Sequence, residues 1–269
     1  DLDAMFRTVR KGRRKALIPY LTAGHPSPEE VVPLAVAVLE AGADALEFGI
    51  PFSDPLLDGP ATRASQQQAL EAGITPRDCL RFAGEIHETR PEPLVLMGAY
   101  NPVLSYGLEA FARDAAAVGV SGLDVTDVPL EEQAELAAVA ARSNLHLIQL
   151  LAPTSTDGRI ARASKVASGF IYCISVAGVT GTRVSIVDTA RPLVERVRRA
   201  TDVPVAVGFG ISGPKQAREV ATFADGVIVG SALINLIEET PRAEREEAVR
   251  EFVGSLRRAL DTVSGESPG

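Results

Sequence analysis

"ALEFGIP", residues 45–51, sets a carboxyl in the middle of an apolar run. A strand sends alternate side chains to opposite faces, so Leu46, Phe48 and Ile50 share one face while Ala45, Glu47 and Gly49 share the other. The bulky face is expected to meet helices, which turns Glu47 toward the inside of the sheet if that sheet closes.

Seven similar runs lie around it: 16–24, 93–99, 122–127, 145–153, 169–178, 204–210 and 226–233. Amphipathic stretches separate them, the alternation expected of parallel strands joined by crossover helices. In "SPEEVVPLAVAVLEAGA" (27–43), Ser27 is expected to cap a helix and Pro28 to occupy its first turn. The second crossover is long and carries a further helical pattern at 76–89. Eight βα units predict an α/β fold, a closed (β/α)₈ TIM barrel, with an extra N-terminal helix from "LDAMFRTVRKG". The expected organisation is one domain over 1–262 and a disordered tail at 263–269.

The chain has 269 residues, 46% of them apolar, and a net charge of -8. Such a length can bury a large core. Without a bilayer-length apolar run or a signal-peptide pattern, a cytoplasmic protein is expected. Net acidity argues against nucleic acid, and "RKGRRK" (10–15) reads as a solvated connection. Cys79 and Cys173 are expected to pack as reduced hydrophobes. The three histidines lack metal-ligand spacing, so no metal site is expected; His25, in "TAGHP", stays a remote site candidate.

Catalytic groups of a barrel sit at the carboxyl ends of its strands. None of the eight runs offers Glu47 a lysine or arginine, and burial without a cation raises a carboxyl pKa toward the range of proton transfer. The residues alone leave two readings open: an acid/base, or a buried glutamate hydrogen-bonded to its surroundings. Asp54 and Asp58 follow the same strand end, where aspartates also serve as turn residues. At the other end of the chain, "GVTGT" (178–182), "GFGISG" (208–213) and "GS" (230–231) mark three consecutive strand ends. Glycine turns and a helix amino terminus at these places favour a phosphate site.

With these features in place, the chain resembles the α subunit of tryptophan synthase. The motifs are "IPYLTAGHP", "EFGIPFSDPLLDGP", "YNPVLSYG", "TDVPLEE", "GFIYCISVAGVTG", "GFGIS" and "ADGVIVGSAL", which together cover nearly the whole length. The resemblance implies a barrel that cleaves indole-3-glycerol phosphate to indole and glyceraldehyde 3-phosphate. It also implies an α₂β₂ complex in which pyridoxal phosphate belongs to the β subunit and the α reaction needs no cofactor. Residue by residue, it makes Glu47 the general acid/base, Asp58 the acceptor for the indole N–H, and Tyr172 a positioning group. Thr180 would lie in a loop closing on Asp58, and Gly181, Gly210, Gly230 and Ser231 would hold the phosphate. Asp54 and "NPVLSYG" would face the β subunit, although "NPVLSYG" also reads as a strand-to-helix loop. A stand-alone indole-releasing lyase and a weakly active allosteric partner are the alternatives within this reading; a phosphosugar isomerase is the alternative outside it.

Two positions depart from the family pattern. "GAYNP" has Ala99 where an aromatic is usual, and "GLDVTD" has Asp124 where an aliphatic residue is usual. Alternation points Asp124 into the indole pocket. There it is expected to repel Glu47 or Asp58, to bond a polar group of the substrate, or to hydrogen-bond Tyr20, itself a candidate binding residue.

Overall fold

In the computed structural model, which describes residues 1–55, 58–175 and 186–263, the apolar runs become parallel strands. They are β1 (Ala16–Thr22), β2 (Leu46–Gly49), β3 (Leu94–Gly98), β4 (Val120–Val125), β5 (His146–Leu147), β6 (Gln149–Leu151), β7 (Ile171–Ile174), β8 (Val205–Gly208) and β9 (Gly226–Val229). The pairing order is β5-β4-β3-β2-β1-β9-β8-β7-β6. Eight runs were expected and nine segments are found because the fifth run is shared between two neighbours. Its first half pairs with β4 through Leu123 and Leu147, and its second half with β7 through Leu150 and Tyr172. The sheet therefore comes back on itself within one run and forms a nearly closed barrel.

Alternation along the strands sorts the core into two shells. Leu46, Phe48, Ile50, Leu123 and Val125 pack outward with the helices, whereas Ala45, Val95, Ile148, Phe170, Tyr172, Ala206 and Ile228 fill the lumen. The amino-terminal stretch forms α1 (Leu2–Lys11), whose Leu2, Phe6 and Val9 join the lumen cluster. The rings of Phe6 and Phe170 lie 5.9 Å apart. This helix seals the amino-terminal end of the barrel, so the open end is the one where the strands finish.

The crossovers are helical. They comprise α2 (Val31–Glu40), α3 (Pro60–Glu71), α4 (Pro76–Thr89), α5 (Tyr100–Tyr106), α6 (Leu108–Ala117), α7 (Ala134–Arg142), α8 (Asp157–Val166), α9 (Ile186–Arg198), α10 (Pro214–Ala221), α11 (Ser231–Glu239) and α12 (Arg245–Val263). α4 matches the expected 76–89 pattern and starts with a reciprocal cap between Thr75 and Asp78. α2 begins later than expected: Ser27 and Pro28 stay in a turn, the Ser27 hydroxyl bonds Glu30, and Glu30 precedes the helix without a side-chain cap. The loop reading of "NPVLSYG" is also corrected, because residues 100–106 form α5.

The basic segment after α1 is tied to the barrel floor. Lys15 donates to the Ala224 carbonyl at 2.8 Å, and Arg257 of α12 donates to the Lys15 carbonyl and to the Asp44 carboxylate. Cys79 and Cys173 are free and buried, as expected. Among the described residues no helix is long and apolar enough to cross a membrane. Of the expected tail at 263–269, Val263 ends α12 and 264–269 lie outside the described residues.

Candidate active site

Glu47 projects from β2 into the lumen and is 1% exposed. Among the described residues its Oε1 has no hydrogen-bond partner. Burial, then the charges of Asp124 and Asp58, push its carboxyl well above the usual range. A carboxyl in this setting can hold a proton at neutral pH and release it to a reacting atom.

Asp58 stands beyond the end of β2, just before α3. Gln66, on the buried face of α3, donates its amide to Asp58 Oδ2 at 2.7 Å and accepts the Phe52 N–H at 3.0 Å. Burial raises the Asp58 pKa, while the Gln66 hydrogen bond and the Arg63 charge oppose that rise. Gln66 escaped the sequence reading because nothing in "SQQQAL" separates it from its two glutamine neighbours; its helical phase toward the strand end is the signal that marks it.

Two tyrosines cross the lumen over glycines of the next strand. A Cβ added at Gly49 would come within 2.0 Å of the Tyr20 hydroxyl oxygen, and one at Gly208 within 2.3 Å of the Tyr172 hydroxyl oxygen. Tyr20 pairs with Thr22 at 3.2 Å, and Thr22 with Ser65 at 2.7 Å. Tyr20 is thus engaged along its own strand, not with Asp124 as one reading expected. Burial and the surrounding carboxylates raise the Tyr172 pKa and keep its hydroxyl protonated.

Glu47, Asp58, Tyr20 and Tyr172 line a cavity of about 200 Å³ whose other end is Gly210, Ser212, Gly230 and Ser231. At that end α11 begins at Ser231, and its first intrahelical bond is the Leu233 N–H to Gly230 at 2.8 Å. The Ser231 and Ala232 amides precede this bond at the positive end of the helix, an arrangement suited to an anion. After β8 the chain takes two consecutive left-handed residues, Phe209 at φ 69° and Gly210 at φ 76°. The Ser175 hydroxyl fastens this turn through the Phe209 carbonyl at 2.6 Å. Ser212 and Asn235 also face the cavity. "GFGIS" held the signal for Ser212, whereas Asn235 sits inside an apolar helical pattern that gave none.

Asp124 lies on β4 opposite Met97 and is 1% exposed. Burial, then the Asp58 charge, push its carboxyl up to about 7. The expected mutual repulsion among the carboxylates is therefore present. Thr180 and Gly181 lie outside the described residues. His25 is fully buried and bonded to Glu238, and it does not line the cavity. Among the described residues the potential ligands close enough to hold a metal are Asp1, Asp3 and His146, at the end of the barrel sealed by α1.

Comparison with known proteins explains the arrangement. The family model described as "Tryptophan synthase alpha chain" matches residues 6–261. The chain belongs to the tryptophan synthase alpha chain family. Similar tryptophan synthase alpha chains include that of Geotalea uraniireducens, 44% identical over 97% of both chains. The relative from Geobacter sulfurreducens is 46% identical over 95% of this chain and 97% of its own. The tryptophan synthase alpha chain of Legionella pneumophila superposes with a TM-score of 0.88 at 35% identity, covering 98% of each chain. An aminoacrylate-bound tryptophan synthase from M. tuberculosis gives 0.87 at 36% identity, covering 96% of this chain and 98% of that one. Membership in the tryptophan synthase alpha chain family makes the chain an indole-3-glycerol-phosphate lyase of tryptophan biosynthesis.

Proposed function

We propose that Glu47 is the general acid/base of the lyase reaction and Asp58 the acceptor for the indole N–H. Glu47 first gives its proton to the indole carbon that bears the glycerol chain. The ring then carries positive charge, which Asp58 stabilises through the N–H hydrogen bond. Glu47, now a carboxylate, takes the proton of the side-chain hydroxyl nearest the ring. That O–H electron pair forms the aldehyde C=O, the carbon–carbon bond breaks, and its electrons return to the ring. Indole and glyceraldehyde 3-phosphate leave, and Glu47 is again protonated.

In the same reading Tyr172 positions the reacting groups and Tyr20 packs against the substrate. Gly210, Gly230 and Ser231, with Gly181 of the family pattern, hold the phosphate; Thr180, like Gly181, lies outside the described residues. The observation that carries this reading is Glu47 itself: buried, facing the lumen and, among the described residues, without a cationic partner and with one oxygen unpartnered. Indole release by Glu47→Gln should fall at least ~10²-fold, the scale of general acid–base catalysis. Undiminished turnover would refute the assignment.

The partner in this proposal is a tryptophan synthase β subunit, which would hold the pyridoxal phosphate. Asp54 is exposed, and α5 carries Leu104, 47% exposed, in the segment the family resemblance assigns to that contact. Co-purification with a β subunit, and its loss on Leu104→Asp, would test this. We also take 1–262 as a single domain acting in the cytoplasm.

A further inference from the structure

Both carboxylate oxygens of Asp124 are buried and, among the described residues, have no hydrogen-bond partner. A buried acceptor left this way is costly, and a ligand that brings a donor relieves the cost. The neighbouring polar groups do not supply one. Among the described residues Tyr20 is paired with Thr22, and no hydrogen bond joins Glu47 or Asp58 to Asp124.

Asp124 itself lines neither the main cavity nor the small recess beside it; its register partner Met97, which lines both, stands between. The recess shares Tyr20, Asp58 and Met97 with the main cavity; Ala99 and Thr126 form its far wall. Thr126 follows Asp124 on the same face of the chain, and Ala99 leaves room that a larger side chain would fill. The flexible thioether chain of Met97 can move aside for a ring substituent. Asp58, which takes the indole N–H in the reading above, borders both spaces, so the recess adjoins an indole bound there.

We propose that Asp124 is a specificity-determining residue that accepts a hydrogen bond from a hydroxyl or amino group on the six-membered ring of the indole. The preferred substrate class is then ring-hydroxylated or ring-aminated indole-3-glycerol phosphate. This rests on the lyase reading and extends it to the aryl end of the substrate.

The test runs the reaction in reverse, condensing indole, its monohydroxy ring isomers and its monoamino ring isomers with glyceraldehyde 3-phosphate. Wild type, Asp124→Leu and Asp124→Asn are compared, and direct titration gives the Kd of each indole. At least one substituted isomer should exceed indole in kcat/KM by about tenfold or more in wild type, the scale of one hydrogen bond to a charged group. Asp124→Leu should reverse that ratio, and Asp124→Asn, which keeps an acceptor, should retain part of it. A wild-type preference for plain indole over every isomer, or ratios unchanged in Asp124→Leu, would overturn the proposal. Failure to condense any indole would overturn the lyase reading instead, and the titrations would still decide the donor preference.

Discussion

Gln66 bridges the Asp58 carboxylate and the Phe52 backbone, donating to one at 2.7 Å and accepting from the other at 3.0 Å. It fixes Asp58 relative to the end of β2 and opposes the rise in its pKa. A hydrogen bond to a charged group contributes about 1.5–3 kcal/mol, so Gln66→Leu should lower kcat/KM roughly ten- to a hundredfold. The Asp58 pKa should rise further, moving the acid limb of the kcat/KM profile to higher pH. An unmoved limb would show that Gln66 does not tune Asp58.

Asp124 should make stability fall as pH rises. Its ordinary value of 3.8 in the unfolded chain is lifted to about 7 in the fold. Between those values the folded chain keeps a proton that the unfolded chain sheds. The stabilising contribution is complete below the lower value and lost through the upper one. Asp124→Leu should therefore be more stable than wild type at about pH 8, by roughly 1–3 kcal/mol, with the gap narrowing toward about pH 5. Urea midpoints at the two pH values measure this. Glu47 and Asp58 shift in the same direction, so the variant's slope should shrink but not vanish.

The Tyr172 ring lies where a Cβ on Gly208 would be. Gly208→Ala should displace the ring and cost about 1–3 kcal/mol, the usual effect of overpacking. The same change in a Tyr172→Ala background should cost much less. A double-mutant cycle on thermal stability gives the coupling, and additive effects would contradict the contact.

Ser231 opens α11 at the end of the cavity proposed to hold the phosphate. Ser231→Asp sets a like charge against a phosphate-bearing substrate. It should raise KM for indole-3-glycerol phosphate at least ~10-fold while leaving the Kd for free indole unchanged, since a charge near a helix amino terminus acts within the first turn. Equal losses for both ligands would place the phosphate elsewhere.

The order of strands and the inward turn of Glu47 were legible because both follow from period-two alternation within one run. The glycine turns at 208–213 and 230–231 were legible for a similar local reason. What escaped depended on approach between distant segments. Gln66 matters through the distance from α3 to the strand end, and the Tyr20 hydroxyl chose Thr22 over Asp124 because its ring lies over Gly49. The split at Ile148 is also non-local: one run was read correctly as a strand, but its division follows from the two neighbours it serves. The late start of α2 reflects a turn at Ser27–Glu30 that competes with the expected cap.

That division at Ile148 has a structural consequence. β2 and β4, with Glu47 and Asp124, belong to the arc that ends at β5, whereas β8 and β9, which lead into the anion end, belong to the arc that ends at β6. The arcs are joined by the long β1–β9 ladder on one side and by a seam of two short ladders on the other. The arc that carries Glu47 and the arc that leads to Gly230 thus share, on this side, one uninterrupted stretch of chain, 146–151.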